Sequence, residues 1–420
     1  MRSFGRLLGI IAQPLGSFRG ISWLQVSEPT GWLWSLPFTI EQRGRQFRAK
    51  DFNLQARAGI SVTKTYYVDA DNGDDGNSGA DWDNAFATLG AAESAGDADR
   101  VYLKGFFHKS AGYSGLSRSM ELIGVDNPTL SSSQTDNLGS WTGVDNYYWS
   151  QSAHTYDYVA NVIDYNNLDA FGDPQHLTPK ASIAEVDAAA NSFYYDTATD
   201  RLYIRTFDDR EPDADIAALD SLCAAWQKDS LTYYVEGVTF LGGVRIRNNS
   251  ASGGLKAYFK NCDFSGGGQV TIAGVDEIMF QGCSVHNYRG DGLNYDDLNG
   301  ITTKAVEIDC EIYNLGTETN HQASTTHNET DIVRINGKYH HTYGQCISDG
   351  GDQTWMLGCE LYNSLVTDVG FNLSDDTAWL DSVTIHDVGT DLQNVAGTTI
   401  YTRDLVSGGS NTINGTLSTY

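Results

Sequence analysis

The chain has 420 residues, 40% of them hydrophobic and 11% aromatic, enough apolar surface for a large core and too much for extensive disorder. Its formal net charge of −27 is uneven: residues 1–50 hold seven Lys/Arg against two acids, leaving 20 basic and 52 acidic residues, or −32, for 51–420. A body this acidic argues against nucleic acid as a partner, and no run of 18 apolar residues offers a membrane-spanning helix.

Residues 1–62 read as a separate basic, tryptophan-containing segment. Its start, "MRSFGRLLGIIAQPLG", has early arginines and a short apolar run that stops at Pro14, but no small-residue cleavage site, so a cleaved leader is not expected. The acidic stretch after Tyr66, Tyr67 and Val68 fails as a calcium loop. A frame begun at Asp71 puts Gly73 at the second ligand position and Trp82 where the closing Glu belongs. No cofactor is required by any motif; incidental calcium binding by the clustered carboxylates stays possible.

From there the chain is expected to be all-β. Residues 100–125 read as first rungs, about 127–230 as a lateral insertion containing the hairpin "NSFYYDTATDRLYIRT", and about 232–410 as regular rungs. A short strand pattern recurs with anchors Cys262, Cys283, Cys310, Gly337, Cys359, Ser382 and Asp404, a basic period of about 22 residues. Period-two alternation and β-branched or aromatic residues make each copy a strand, and stacked copies make a parallel solenoid. Val285, Ile312, Tyr339, Leu361 and Ile385 are expected inside. Asn287, Asn314, His341, Asn363 and Asp387 are expected to stack at a turn, their amides bonding one another and the bent backbone. His286, Tyr313, His340, Tyr362 and His386 are expected to face outward. The six cysteines, without a CxxC pair, read as small buried fillers rather than zinc ligands or a disulfide framework.

Two successive intervals of 27 residues place extra chain in adjacent rungs, "NYRGDGLNYDDLNGITT" and "NLGTETNHQASTTHNET", expected to form neighbouring loops around a cleft. The first offers Asp291, Asp296 and Asp297; the second offers His321, His327, Glu329 and Asp331. Facing carboxylates suit the acid and base of glycoside hydrolysis, and a His–carboxylate pair suits β-elimination from a uronic acid. The catalytic candidates are therefore Asp291, Asp296, Asp297, His321, His327 and Glu329. The ligand-binding candidates are Arg289 and the outward ring series, whose flat faces suit pyranose stacking.

The stretch "YYVDADNGDDGNSGADWDNAFATLGAA" and the inserted hairpin resemble the N-terminal cap and early insertion of right-handed parallel β-helix proteins of the pectate-lyase-like superfamily. The resemblance spans roughly residues 65–410 and implies a single-stranded right-handed parallel β-helix with a cap at 65–98. "NYDD" at Asn294–Asp297 matches one element of the polygalacturonase series, but no G-H-G or R-I-K follows; no motif fixes Arg289 or Arg334 as a lyase base. A basic segment ahead of an acidic β-helix resembles the layout of bacteriophage tailspikes. That layout implies a virion-located homotrimer, anchored through 1–62 to tail or baseplate proteins, that binds and in some cases depolymerises a host cell-surface polysaccharide. The tail "SGGSNTINGTLSTY", without a long apolar or heptad segment, is not expected to form a trimerising domain of its own. An exported monomeric polysaccharide lyase or glycoside hydrolase, secreted or periplasmic, is the alternative, and a non-catalytic structural virion protein is a third.

Overall fold

A computed structural model describes residues 22–109, 115–133, 141–144, 146–150, 159–317 and 320–420. The leader-like start and residues 151–158 of the aromatic stretch lie outside these.

The chain divides after Phe52 rather than at 62. The first unit carries a three-stranded antiparallel sheet, Leu24–Val26, Thr39–Arg43 and Gln46–Lys50. Ile40 and Phe47 are buried in it. The Arg43 and Arg48 guanidiniums sit 4.7 and 4.2 Å from the Trp23 ring centroid, so this unit's basic charge is partly held by cation–π contact. The second unit begins with helix Leu54–Ala58, whose Gln55 and Arg57 donate to Glu121 and Glu277 at 2.9 and 2.7 Å.

The second unit is a parallel β-solenoid. Each regular coil supplies three short strands, and equivalent strands of successive coils pair in parallel to make three walls. The first wall runs from Thr65–Asp69 through Arg100–Lys104, Met120–Gly124 and Thr232–Glu236 on to Thr399–Arg403 and Thr416–Thr419. The second wall includes Thr129–Ser131, Thr239–Leu241, Asp263–Ser265, Ser284–Tyr288 and Glu311–Leu315. The third includes Leu222–Trp226, Gly243–Arg247, Val270–Ala273, Leu293–Asp296 and the first halves of the long strands Ser324–Ile335 and Ile347–Leu357. Alternation sends every second side chain into a continuous core, where like residues stack: Phe259 on Phe280 at 5.0 Å, Phe240 on Phe264 at 4.8 Å.

Val285, Ile312, Tyr339, Leu361 and Ile385 are fully buried, as the alternation predicts. All six cysteines are free and buried. The last two anchors are misplaced by one residue. Glu360 pairs with Thr384 and Thr384 with Val406, so Val383 and Leu405, not Ser382 and Asp404, continue the Cys359 position.

The turn column Asn287, Asn314, His341, Asn363 and Asp387 has φ of 54, 56, 53, 54 and 53°, the left-handed region. Asn and Asp tolerate that region best after glycine, which explains the composition of the column. Its amides mostly do not bond along it: Asn363 Nδ2 meets His341 Nε2 at 3.1 Å, but Asn287 and Asn314 turn to the insertion. Asn363→Ala is expected to cost about 1–2 kcal/mol and Asn363→Gly only a fraction of that, read from urea unfolding midpoints.

The insertion is shorter than 127–230. Thr129–Ser131 and Leu222–Trp226 are wall strands of one coil, and the chain leaves and returns between them, closed at its base by a Ser133–Leu219 bridge. Within it Ser192–Asp196 pairs antiparallel with Arg201–Arg205, and Asn161–Leu168 with Pro174–His176 and Ile216–Leu219. In the Asp/Gly-rich opening stretch the carboxylates bind backbone: Asp69 accepts from Asp71 and Asn72 N–H, Asp75 from Ala87 and Thr88 N–H.

Candidate active site

The two long intervals do not put their extra residues side by side. In the first the surplus lies after Leu293–Asp296, at the corner between third and first walls. In the second it lies after Glu311–Leu315, at the corner between second and third walls. The loops therefore rim opposite edges of the outer face of the third wall. Asp291 and His321 belong to one rim, and Asp296, Asp297, His327 and Glu329 to the other. The extra residues thus lie at opposite edges of one wall rather than in neighbouring turns, and Asp291 of the first loop and His327 of the second both meet the Asn294 amide between them.

That outer face is a polar column read from register: Thr271, Asn294, Thr325, Ser348, Asn372 and Gln393, one per rung, between inward-facing apolar neighbours such as Leu293 and Tyr295. Asn294 Nδ2 donates to Asp291 at 2.9 Å and lies 3.5 Å from His327 Nε2, while Asn372 Nδ2 donates to Ser348 Oγ at 3.0 Å. Asp291 also accepts the Gln322 N–H at 2.8 Å, so it is an anchor of this rim. His321 shares the rim, and its Nδ1 is buried without a hydrogen-bond partner among the described residues.

The opposite rim concentrates acid. Asp296 accepts from Asn328 Nδ2 at 2.7 Å, and Glu329 from Thr302 Oγ1 at 3.5 Å. Here the register steps from Asn328 opposite Gly351 to Asp331 opposite Gln353, a β-bulge that re-aims Glu329 and Asp331. Burial, then the charge of Asp352, raises the Asp331 carboxyl to about 6 against the opposing pull of Lys304. Asp297 is raised by burial and by Asp296, and Asp352 by burial and by Glu329, Asp376, Asp375 and Asp297. Asp352 escaped the sequence reading because the pairing of one rung with the next, not the local pattern, brings it beside Asp331. Among the described residues no group of three or more His, Cys, Asp or Glu is arranged to hold a metal ion.

The outward ring series is real but differently used. His286, Tyr313, His340, Tyr362 and His386 stack in one column at 5.1, 5.2, 4.4 and 5.0 Å, within 12° of parallel. Their faces cover one another, so the column presents edges rather than platforms to a sugar. Each histidine also bonds an acid of the preceding rung: His286 to Asp263 at 3.0 Å, His340 to Glu311 at 3.3 Å, His386 to Glu360 at 3.1 Å. Arg289 stands at the corner beyond, where it helps burial depress His176 to about 4. Arg334 is no surface base: it points into the solenoid and is fully buried.

His286 also meets Asp173 of the insertion at 2.8 Å. Burial alone would lower its pKa, but Asp173 and Asp263 outweigh it and hold it at about 9. Because the folded value lies above the unfolded one of about 6.5, this stabilisation is complete below pH 6.5 and is lost as pH rises through 9. Melting curves from pH 7 to 10 are expected to show a loss of about 2–3 kcal/mol that His286→Gln flattens. His176 acts in a separate window, between pH 4 and 6.5, with the opposite sign.

No protein-family model matches this chain, and no curated protein matches it. Among solved structures it is similar to a protein titled glycoside hydrolase, at 10% identity and a TM-score of 0.47, over 85% of this chain and 96% of that one. It is also similar to the GH136 lacto-N-biosidase from Eubacterium ramulus, as selenomethionine derivative and as native protein. These matches are at 10% identity with TM-scores of 0.32 and 0.30, over 87% and 85% of this chain and 69% and 68% of those. Likeness this distant concerns the fold and carries nothing about activity.

Proposed function

We propose that the outer face of the third wall binds a glycan and that its acidic rim hydrolyses a glycosidic bond. The observation that carries this is Asp331, a largely buried carboxyl held at about 6 beside Asp352 on the next rung. Two carboxyls whose surroundings make one a proton donor near neutral pH are the chemical requirement for glycoside hydrolysis. Asp331 gives its proton to the leaving oxygen. Asp352, beside Asp331's register partner Gln353 on the next rung, is the second carboxyl, acting as the base that takes a proton from the attacking water or as the nucleophile. Asn294, Asn328, Asn372 and His327 supply the amide and imidazole groups that orient hydroxyls.

Elimination is the weaker reading. A uronate would enter a rim of Asp296, Asp297, Glu329, Asp331, Asp352, Asp375 and Asp376 with Lys304 as the cation acting on Asp331, and Arg334 is enclosed. The hydrolase alternative is thus preferred to the tailspike layout, whose virion, trimer and host-surface elements draw on no side-chain chemistry. The test is incubation with neutral and uronate-containing polysaccharides. New reducing ends without an unsaturated-uronate absorbance are expected; that absorbance, or no product from any glycan, refutes the proposal.

A further inference from the structure

The ring column of the second wall ends at His286. One face of that imidazole lies on Tyr313 at 5.1 Å and 4°. The other looks along the column to Ser265, its registered neighbour on the preceding rung, whose side chain is too short to fill a stacking position. A cavity of about 190 Å³ opens there, floored by Thr129, Thr239, Leu241, Ser265 and His286. Ile163, Tyr165 and Pro174 of the insertion roof it. Phe106 and Tyr165, both among the large exposed hydrophobics, stand at its edge.

We infer that this cavity binds one uncharged aromatic ring of phenol type, stacked on His286 as the next member of the column. The size suits it, since an apolar cavity of about 150 Å³ accepts benzene. The charge suits it as well. His286 sits between the Asp173 and Asp263 carboxylates at 2.8 and 3.0 Å, and an imidazolium attracts the electron-rich face of an arene. Those same carboxylates repel an anionic ligand. Ile163, Leu241 and Pro174 would leave the several hydroxyls of a sugar unpaired, whereas the hydroxyls of Thr129, Thr239 and Ser265 can satisfy a single phenolic one. The site lies on the second wall and does not depend on the hydrolase reading of the third.

Phenol is the probe, followed by titration calorimetry and saturation-transfer NMR on the full chain, with cyclohexanol and methyl glucoside as controls. Saturable phenol binding is expected, with cyclohexanol about tenfold weaker for want of a π face. Ser265→Phe, which supplies the missing ring from the protein, is expected to abolish phenol binding; Ser265→Leu serves if that variant does not fold. Absence of saturation at millimolar phenol, unchanged binding by the folded variant, or methyl glucoside binding as tightly as phenol would each overturn the inference.

Discussion

Replacing Arg334 by methionine is expected to destabilise the solenoid by about 3–5 kcal/mol, or to prevent folding. The guanidinium lies inside the coil, bonding Asp349 at 2.6 and 3.0 Å and Ser324 Oγ at 2.8 Å, with Glu307 at 3.7 Å. Glu307 in turn accepts Tyr295, Ser324 and Tyr339 hydroxyls at 3.0, 2.8 and 2.5 Å, so one charged network ties all three walls together. Burial pulls the Arg334 pKa down, but Asp349 and Glu307 outweigh it and push it up. Removing the cation leaves two carboxylates enclosed without a counter-charge, and that, more than the lost attraction, is the source of the cost. The combined change Glu307→Leu, Arg334→Met and Asp349→Leu should recover much of the loss, because no charge then remains buried. Urea unfolding of the single and triple variants decides. A single-variant loss under about 1 kcal/mol would mean that water reaches the network.

The same network shows where sequence reasoning stopped. Alternation separates the two faces of a strand only when one face is apolar. Val285 and Ile312 announce the core, but Thr303, Glu307, Arg334 and Asp349 occupy inward positions with outward chemistry. In "VRINGKYHH" the arginine looks like a surface group, and only the pairing of Arg334 with Met356 and of Ile332 with Thr354 fixes its direction. The anchors at Ser382 and Asp404 slipped for a related reason. A polar left-handed residue precedes each true anchor, with φ of 55 and 51°, and the small Ser382 resembled the cysteine series more than Val383 did.

The repeat length was legible because each rung must return to the same wall, which constrains spacing whatever the side chains are. The corner holding each surplus was not, since spacing counts residues per coil without dividing them among three walls. Hence the two loops, read as adjacent, stand at opposite edges of the third wall, with Asp296 bonded to Asn328 at one edge and Asp291 at the other sharing the Asn294 amide with His327. The ring series was legible as an outward column. That its members would lie face to face follows from rung spacing, which brings every parallel-wall column to ring-stacking distance.

Asp331→Asn is expected to lower kcat by about 10²–10⁴ while leaving KM within a few-fold, because the amide keeps the shape and loses the proton. With the carboxyl at about 6, the protonated fraction falls as pH rises through that value, so wild-type activity should decline on the alkaline side of pH 6 and the residual activity of the variant should lack that limb. The stability of the variant should move opposite to its kcat. The folded pKa lies above the model carboxylate value of 3.8, so the folded state holds the proton more tightly and loses stability as pH rises from about 4 to 6. Above pH 7 the wild type carries a buried, poorly compensated charge that the asparagine lacks. The variant is therefore expected to be more stable there by about 2 kcal/mol, and no more stable at pH 4. A residue with only a structural role would lower stability and activity together, with no change in the pH profile. Thermal unfolding at pH 4 and pH 8 beside a pH–rate profile on a cleaved glycan separates the two cases, and an unchanged kcat would remove Asp331 from the mechanism.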